Sequence, residues 1–465
     1  MTGDATRVLF VSRTTAHFAY YETVLTSLLN RGAEVELVFD RSRTAKSKDP
    51  MAALDAFRAA HPALKTGWSV RRSDRRRDRI FALRELRTYR SYLVRPHTTP
   101  FYVSRWAGYL TPGVRRWTAN PVLRRLLRSR VVGVVLDLVE RLTPPDPGIV
   151  GFIRERRPDV LVVSPLNMRF SEEADYVKAA RRLGIPTALP VYSWDNLTTK
   201  GLIHISPERV FAWNDDQARE LREIHHVPAK AIQVAGAPFF DKWFDPSKDP
   251  QDRVAFCRAA GLDPGRGVLL YLGSSVNIAK DETWFIEALE TALKTAADPR
   301  VRDLQILIRP HPANAKIYQR LAARGLRVWP EHGSLPDTAG ALADLRSSLG
   351  HAVAAVGVNT SAMIDAVLAD TPTFSVRIGR YDATQADAAH FQLLSEDGAI
   401  QTADSLAELT AALAEVLAGG DTAGPDRRDF ARRFARPQGL DRSAGEAVAE
   451  GILDLGRARR RRAGG

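Results

Sequence analysis

Short apolar runs alternate with helical segments along most of this chain, and that alternation constrains the fold more than any other feature. RVLFVS at 7–12 is followed by a helical pattern at about 17–31 and then by EVELVF at 34–39. A strand, a helix and a second strand in this order predict a parallel pair joined by a right-handed crossover. The alternation resumes at DVLVVS, 159–164. We therefore predict an α/β protein with doubly wound parallel sheets.

The length of 465 residues favours two domains over a single core. The stretch DPSKDP at 245–250, with two prolines among polar residues, interrupts the pattern and marks a junction. We predict a Rossmann-like domain over 1–245, a second over 246–425, and helices over 426–465 that cross back to the first domain. Ligands bind such sheets outside the carboxyl ends of the strands, so we expect a cleft between the two domains.

Composition excludes several classes of protein. The single cysteine, Cys257, excludes a disulfide framework and a cysteine-built zinc site. No apolar run approaches the roughly 20 residues that span a bilayer, and the first residues lead directly into a strand rather than a secretory signal. We expect a cytoplasmic protein that is not integral to a membrane.

The formal net charge of +13 is concentrated in one segment. Residues 71–130 hold seventeen arginines and three acids, interleaved with aromatic residues. We interpret 65–148 as a basic helical insertion in the first domain. It could dock on an anionic membrane surface, bind an acidic polymer or nucleic acid, or be a solvated face. The run at 79–94 favours the membrane, because Ala82, Leu86, Tyr89 and Leu93 recur at helical spacing, although Ile80, Phe81 and Leu83 fall outside that stripe.

Three loops of the second domain have residue types that suit a phosphate. Each follows a predicted strand, so the loops should meet at one edge of the sheet. Asn359, Thr360 and Ser361 are helix N-cap types, and a helix start with small hydroxyls favours anions. The other candidates are Gly273, Ser274 and Ser275 in one loop and Arg309 and His311 in the proline-bracketed RPHP loop. Each loop alone also fits an ordinary turn or cap, but together they favour a nucleotide diphosphate.

The sequence lacks two common nucleotide motifs. It has no GxxxxGK[ST] loop, and the first domain has no GxGxxG turn. This disfavours a nucleoside triphosphatase and a dehydrogenase with a standard dinucleotide site.

The pairing of RPHP with NTSAMIDAV resembles the GT-B superfamily of nucleotide-sugar glycosyltransferases. Within it, the chain is most similar to the capsule and teichoic-acid enzymes that resemble CDP-glycerol glycerophosphotransferases. GAPFFDKW at 236–243 resembles the step that closes the first domain of the superfamily, and 434–452 resembles its closing segment. The resemblance covers most of the chain except 65–148.

The resemblance implies roles for individual residues. His311 would contact the donor phosphates or ribose, and Thr360 and Ser361 would hold the diphosphate. Asp365, one helical turn past Ser361, would bind ribose hydroxyls or be a solvated helix acid. In the first domain, SRTTAHFAYY resembles the GT-B opening in which a histidine deprotonates the acceptor. Here that histidine is His17, whose other interpretation is a packing role.

The loop YSWDNL holds three further candidates. Asp195 would orient the base or bind the acceptor, and Trp194 and Asn196 would bind a sugar by stacking and hydrogen bonding. A helix cap made by Asp195 or Asn196 is the alternative interpretation.

These features predict a glycosyltransferase or glycerophosphotransferase. The donor would be CDP-, CMP- or UDP-linked, and the acceptor a hydroxyl of a surface polysaccharide or lipid-linked glycan at the inner face of the plasma membrane. No metal or other cofactor is expected, because neutral donors at a helix start and a histidine can stabilise the leaving phosphates. A UDP-sugar epimerase of GT-B fold is one alternative, although the sequence shows no cluster of acids for it. A nucleic-acid-binding protein is another, and it leaves the three phosphate-type loops unexplained.

Overall fold

A computed structural model describes residues 5–45, 51–95, 98–245, 250–336 and 338–463; of these, the side chains at 52, 389 and 463 are left out of the description. The chain divides into two compact units. Unit 1 is Met1–Asp241 with Phe434–Gly465, and unit 2 is Lys242–Arg433. The predicted boundaries at 245 and 425 lie four and eight residues from this division. Residues 246–249 of the predicted junction and the last two glycines lie outside the described residues.

Unit 1 is built on a parallel sheet with the order β3-β2-β1-β4-β5-β6-β7 among the described residues. Its register pairs Val8 with both Val35 and Val160. The central strands are buried on both faces, as expected for a parallel sheet covered by helices. The strands are β1 Arg7–Ser12, β2 Glu34–Phe39, β3 Lys65–Trp68, β4 Val160–Ser164, β5 Thr187–Pro190, β6 Arg209–Ala212 and β7 Ile232–Val234.

Helices cover both faces of this sheet. Short 3-10 segments are Thr15–Tyr20, Ala229–Ala231 and Pro238–Phe244. The α-helices before the junction are α1 Glu22–Asn30, α2 Arg41–Thr44, α3 Ala52–Ala60, α4 Arg77–Val94, α5 Pro100–Tyr109, α6 Pro112–Ala119, α7 Pro121–Leu127, α8 Arg130–Leu142, α9 Pro147–Arg156, α10 Glu173–Arg182, α11 Asn196–Thr199 and α12 Asp215–Glu223.

Unit 2 contains a second parallel sheet with the order β10-β9-β8-β11-β12-β13. Its strands are β8 Val268–Leu272, β9 Gln305–Arg309, β10 Arg327–Val328, β11 Ala354–Gly357, β12 Thr373–Val376 and β13 Gln401–Ala403. Its helices are α13 Arg253–Ala260, α14 Thr283–Lys294, α15 Pro299–Arg302, α16 Gln319–Ala323, α17 Ala339–Gly350, α18 Ala362–Leu368, α19 Ala389–Ser395, α20 Leu406–Leu417 and α21 Gly424–Phe430. The 3-10 segments are Pro312–Tyr318 and Gly379–Thr384, and a π-helical turn spans Ala431–Ala435. The prediction of two Rossmann-like α/β domains is confirmed.

The last helix, α22 Ala444–Ala463, belongs to unit 1 although 192 residues of unit 2 precede its segment. It packs on α1 and β4, and Val448 and Ile452 are part of the same buried core as Phe10 and Leu25. The approach to α1 is close: a Cβ at Gly445 would lie 2.7 Å from the Thr23 backbone carbon. Of the segment predicted to cross back, residues from Phe434 onward belong to unit 1, whereas 426–433 belong to unit 2.

The basic segment differs from the prediction in two ways. Residues 65–68 of the predicted insertion form β3, the edge strand of the sheet, so the helical part begins later, at α4. The prediction that the α4 stripe faces a membrane is wrong. Tyr89 is buried, and Leu86 and Leu93 pack against a small core that also contains Tyr92 and Trp106. The stripe is interior because α5 and α8 cover α4.

Candidate functional site

The three predicted loops of unit 2 lie side by side at the carboxyl edge of its sheet. Strand β8 lies between β9 and β11, and its last residue, Leu272, pairs with Arg309 on one side and Gly357 on the other. The Gly273 N–H donates to the Arg309 carbonyl at 2.9 Å. Asn314 Nδ2 extends from the RPHP loop to the Ala279 carbonyl at 3.0 Å. The structure therefore brings the 273–275, 309–314 and 359–361 segments together.

His311 is a half-buried hydrogen-bond donor at this edge. Its Nδ1 accepts from the Ala313 N–H at 3.1 Å, which fixes the ring at the start of the 3-10 segment. Burial lowers the pKa of the His311 imidazole below its ordinary value, so the ring is neutral at pH 7. A neutral ring whose Nδ1 accepts must have its proton on Nε2. His311 therefore presents an N–H group without a positive charge.

The 273–275 loop approaches the edge with its backbone. Gly273 and Ser274 are buried and Ser275 is half-buried. A Cβ at Gly273 would lie 2.6 Å from the Tyr318 hydroxyl and 3.2 Å from the Arg309 carbonyl, so only glycine fits there. Because the Ser274 side chain is fully buried, Ser275 is the serine of this loop that reaches the surface.

A buried carboxyl group beneath the loop was not predicted from the sequence. Glu282 Oε1 accepts from the Ser274 N–H at 2.6 Å and from the Tyr318 hydroxyl. Burial raises the pKa of Glu282 above its ordinary value. Glu282 therefore fixes the 273–275 loop from below. Nothing in the run KDETW distinguishes it from a solvated helix acid.

The segment at 359–361 divides into an inward and an outward part. Asn359 is buried, and its Nδ2 donates to the Thr384 carbonyl at 2.6 Å, so this amide holds a neighbouring loop. Ser361 is the N-cap of α18, is exposed, and makes no side-chain cap hydrogen bond. Thr360 lies between them with 8% of its surface exposed. Thr360 and Ser361 thus supply the hydroxyl groups at this edge, whereas Asn359 positions the loop.

The Arg309 side chain is buried and is bound by three neighbouring side chains. Its guanidinium forms an ion pair with Asp344 and donates to Ser334 Oγ at 2.8 Å and Ser348 Oγ at 3.2 Å. Arg309, a candidate phosphate-binding residue from the sequence, therefore has its charge balanced by Asp344. Asp344 also accepts from Trp329 Nε1 at 2.6 Å.

Asp365 is buried rather than solvated. Its Oδ1 accepts from Trp243 Nε1 at 2.6 Å, and burial raises its pKa above the ordinary value. The solvated alternative is therefore wrong, because only 3% of the surface of Asp365 is exposed.

In unit 1, His17 lies after β1 at the carboxyl edge of the sheet. Its Nδ1 accepts from the Thr14 N–H at 3.3 Å, and its ring meets the Tyr192 ring edge-on at 4.6 Å between centroids. Burial, with help from Arg13 and Arg43, lowers the pKa of His17 to about 3. His17 is therefore neutral at pH 7, with its proton on Nε2 in this arrangement.

The YSWDNL loop follows β5 at the same edge. Asp195 Oδ1 accepts from Ser193 Oγ at 2.7 Å and Oδ2 accepts from Thr199 Oγ1 at 2.9 Å. Asp195 is also the N-cap of α11 by position. Asn196 is buried and Trp194 is half-buried. The Asp195 carboxyl group therefore bonds within its own loop, and the helix cap of the alternative interpretation is present by position but without a side-chain cap hydrogen bond.

A row of ion pairs at this edge of unit 1 was also not predicted. It alternates cations and acids from the loops after four neighbouring strands: Glu173 bonds Arg13 at 3.1 Å and Arg43 at 2.9 Å, and Glu172 bonds Arg43 at 2.7 Å. The other members are Asp40 and Arg71, which also lie within ion-pair distance of this row. Its charges balance, so the row stabilises the loops around His17 without adding net charge. Separately, the described residues contain no group of three or more histidine, cysteine or acidic side chains arranged for a metal ion.

No family model matches this sequence, and no curated protein matches it in sequence. Solved structures do match. A candidate UDP-N-acetylglucosamine 2-epimerase from Listeria monocytogenes superimposes with a TM-score of 0.55, at 10% identity over 97% of this chain and 95% of that chain. The chain thus shares the two-domain α/β arrangement of this structure, which is the GT-B fold.

Two further structures support the same fold. A glycosyltransferase from Rickettsia africae matches with a TM-score of 0.52, at 11% identity over 98% of this chain and 99% of that chain. The UDP-GlcNAc 2-epimerase of Methanocaldococcus jannaschii, in complex with UDP-GlcNAc and UDP, matches with a TM-score of 0.51, at 13% identity over 97% of this chain and 100% of that chain. The alignments span the full GT-B fold, so the similarity includes both units.

Proposed function

We propose that this protein is a nucleotide-sugar-dependent transferase of GT-B fold whose unit 2 binds the diphosphate of the donor. The observation that carries the proposal is the edge formed by β9, β8 and β11. There the Nε2–H of His311 and the hydroxyl groups of Ser275, Thr360 and Ser361 come from three adjacent loops. Uncharged donors fixed in place are suited to stabilise negative charge on a leaving diphosphate.

In this reaction a hydroxyl oxygen of the acceptor attacks the anomeric carbon of the donor. The new carbon–oxygen bond forms while the bond to the nucleotide diphosphate breaks, and the acceptor proton passes to a base. For a glycerol phosphate donor the attack is at phosphorus. We propose His17 as the base. To accept a proton on Nε2, the ring must first release the Thr14 N–H from Nδ1, a long hydrogen bond of 3.3 Å.

The structural neighbours bear on the identity of the donor. Two of the three are UDP-GlcNAc 2-epimerases or candidates for that activity, and one was solved with UDP. We therefore rank a UDP-linked donor ahead of the CDP- and CMP-linked donors suggested by the glycerophosphotransferase resemblance. We propose a glycan or lipid-linked acceptor at the inner face of the plasma membrane. The second candidate function is epimerisation of a UDP-sugar, which the same neighbours favour.

The test of donor binding is a thermal-shift and calorimetry panel of UDP, CDP, GDP, TDP and CMP. We expect one nucleoside diphosphate to raise the melting temperature, and His311→Ala and Ser361→Ala to abolish the shift. His332→Ala is the matched control, because His332 is an exposed histidine on a nearby loop. If no nucleotide shifts the wild-type protein, or if the His311 and His332 variants respond alike, the proposal fails.

Product analysis then separates the two functions. With the bound nucleotide known, its sugar derivatives are incubated with the protein and followed by NMR, with and without candidate glycan acceptors. A transferase releases the free nucleotide and forms a new glycosidic or phosphodiester bond. An epimerase returns an isomerised nucleotide sugar with no acceptor present, and that result would replace the transferase assignment.

A further inference from the structure

Helix α8 presents its apolar side to solvent. The exposed positions are spaced by three and four residues, so they form one stripe along the helix. Each is between 47% and 72% exposed: Val131, Val134, Val135, Leu138, Val139 and Leu142. We name these six residues the α8 stripe. A helix on the surface of a globular protein normally turns its apolar side towards the core and its polar side towards water.

Buried ion pairs hold α8 in this orientation. Glu140 is fully buried and bonds Arg84 of α4 at 3.0 Å and Lys178 of α10 at 3.2 Å. A second, partly exposed pair joins Asp137, one turn earlier, to Arg87 of α4 at 2.7 Å. Rotating the stripe inward would expose or break these pairs, and an unpaired buried charge is costly. The outward apolar stripe is therefore a fixed property of the fold.

Arginines border the α8 stripe. Arg130 lies four residues before Val134, and Arg141 lies three residues after Leu138, so both flank it on the helix surface. The preceding helix, α7, packs on α8 and adds the exposed apolar residues Val122 and Leu126. The exposed arginines of this region are Arg115, Arg116, Arg124, Arg125, Arg128, Arg130 and Arg141.

These arginines differ from those deeper in the basic segment. Within the described residues of 111–142, the acids are Asp137 and Glu140, and both already pair with other side chains. None of the seven exposed arginines has an ion pair with a described acid, whereas Arg84 and Arg87 do. The region therefore has unbalanced positive charge beside an exposed apolar stripe.

We infer that the α8 stripe and its flanking arginines dock on an anionic lipid surface. Valine and leucine side chains would enter the boundary between headgroups and acyl chains, while the arginines would meet lipid phosphates. Helix α8 has 13 residues and is about 20 Å long, so it can lie along the surface. Among the described residues, no helix combines the length and apolar composition of a bilayer-spanning segment.

Charge favours lipid over a second copy of this chain. A symmetric dimer would place the same surface on itself, which brings arginine against arginine, while both acids of the region already pair with other arginines. Nucleic acid would use the arginines but leave the stripe in water. An anionic bilayer matches both features. The inference does not depend on the proposed transferase activity, because vesicle binding is measured without a donor.

The test is co-sedimentation of the full chain with two kinds of vesicle, phosphatidylcholine alone and phosphatidylcholine mixed with phosphatidylglycerol in equal parts. We expect binding to the mixed vesicles. Val135→Gln with Leu138→Gln should weaken it at least tenfold, since both side chains lose their apolar contact. Arg125→Gln with Arg128→Gln should weaken it by about fivefold per arginine at low salt. The matched control is Val254→Gln with Arg258→Gln on the exposed side of α13.

The substituted positions are exposed, so circular dichroism and the melting temperature should stay at wild-type values. Absence of wild-type binding to the mixed vesicles, or equal binding by the stripe and α13 variants, would overturn the inference. A stable dimer in light scattering that the stripe variant converts to monomer, without vesicle binding, would assign the surface to a second copy. Binding to duplex DNA that the stripe variant leaves unchanged, again without vesicle binding, would assign it to nucleic acid.

Discussion

Arg84 and Glu140 form a doubly hydrogen-bonded ion pair in the interior of unit 1, with Nε–Oε2 at 3.2 Å and Nη2–Oε1 at 3.0 Å and both side chains fully buried. Arg84 also donates to Asp175 Oδ2 at 2.9 Å, and Asp175 accepts from Arg72 Nη1 at 2.7 Å. The pair thus connects α4, α8 and α10 through one buried network.

We predict that Arg84→Met destabilises unit 1 by about 3–5 kcal/mol, because it leaves the carboxyl groups of Glu140 and Asp175 buried with less compensating charge. Urea denaturation followed by circular dichroism measures the loss. Arg457→Ala, which removes an exposed pair with Asp454, should change stability by about 1 kcal/mol or less. Similar midpoints for the two variants would contradict the prediction. In the double variant Arg84→Met with Glu140→Met, part of the stability should return.

The neutral state of His17 leads to a second prediction, on the pH dependence of activity. The active form of a base is unprotonated, and the pKa of His17 lies at about 3. Protonation of His17 should therefore not lower kcat/KM as the pH falls from 8 to 5. His17→Ala should lower kcat at least a hundredfold, as loss of a general base does, with nucleotide affinity unchanged. If kcat/KM of the wild type instead falls below about pH 6.5, and this fall is absent in His17→Ala, then His17 titrates near its ordinary pKa.

The third prediction concerns stability: the buried carboxyl group of Glu220 should make the protein less stable as the pH rises. Burial, followed by the nearby Asp216, raises the pKa of this α12 side chain to about 8 from an ordinary 4.5. As pH rises from 4.5 to 8, the unfolded chain loses the Glu220 proton and the folded chain keeps it, so folding is progressively disfavoured. Glu220→Gln removes this effect. The free energy of unfolding of the variant should therefore increase relative to that of wild type by about 1.4 kcal/mol per pH unit in this window.

Melting temperatures measured from pH 5 to pH 8 test this difference. Glu223→Gln, an exposed acid on the same helix, is the control and should run parallel to wild type. If the gap between Glu220→Gln and wild type stays constant with pH, the carboxyl group is not held protonated.

We predict that a side chain at position 273 lowers both the stability of unit 2 and its affinity for the nucleotide, because Gly273 is tightly packed. A Cβ there would lie 2.6 Å from the Tyr318 hydroxyl, which holds Glu282 under the loop. Gly273→Ala should cost about 1–3 kcal/mol of stability, as overpacking does, and should weaken nucleotide binding in calorimetry. Gly340→Ala, in α17 with no atom within 4 Å of the new Cβ, should be neutral or stabilising. Wild-type nucleotide affinity in the Gly273 variant would show that the loop backbone is not part of the site.

The sheets of this protein are predictable from the sequence because each strand is a local apolar run. The runs at 7–12, 34–39 and 159–164 all contain strands of the structure within one residue. The order of strands at the edge of unit 2 follows from the doubly winding connections, so the meeting of the 273–275, 309–314 and 359–361 loops could also be expected.

Side-chain direction could not be predicted in the same way. Periodicity shows which residues of a helix share a face, but not whether that face is inward. The stripe on α4 is interior and the stripe on α8 is exposed, although both have helical spacing. The ion-pair partners of the arginines could not be predicted either, because Arg84 pairs with Glu140 and Asp175, which lie 56 and 91 residues away in sequence. The charge of 71–130 therefore looked like one surface when part of it is interior.

The position of α22 has a consequence for biosynthesis. Its apolar residues complete the core of unit 1, against helix α1 and strand β4, which are made far earlier. During synthesis, residues 1–241 keep that side of the sheet uncovered until α22 has been made. Unit 2 is one continuous segment, so all of its residues are available before α22 is made. The unit that is translated first can therefore complete its core only after the last helix of the chain has been made.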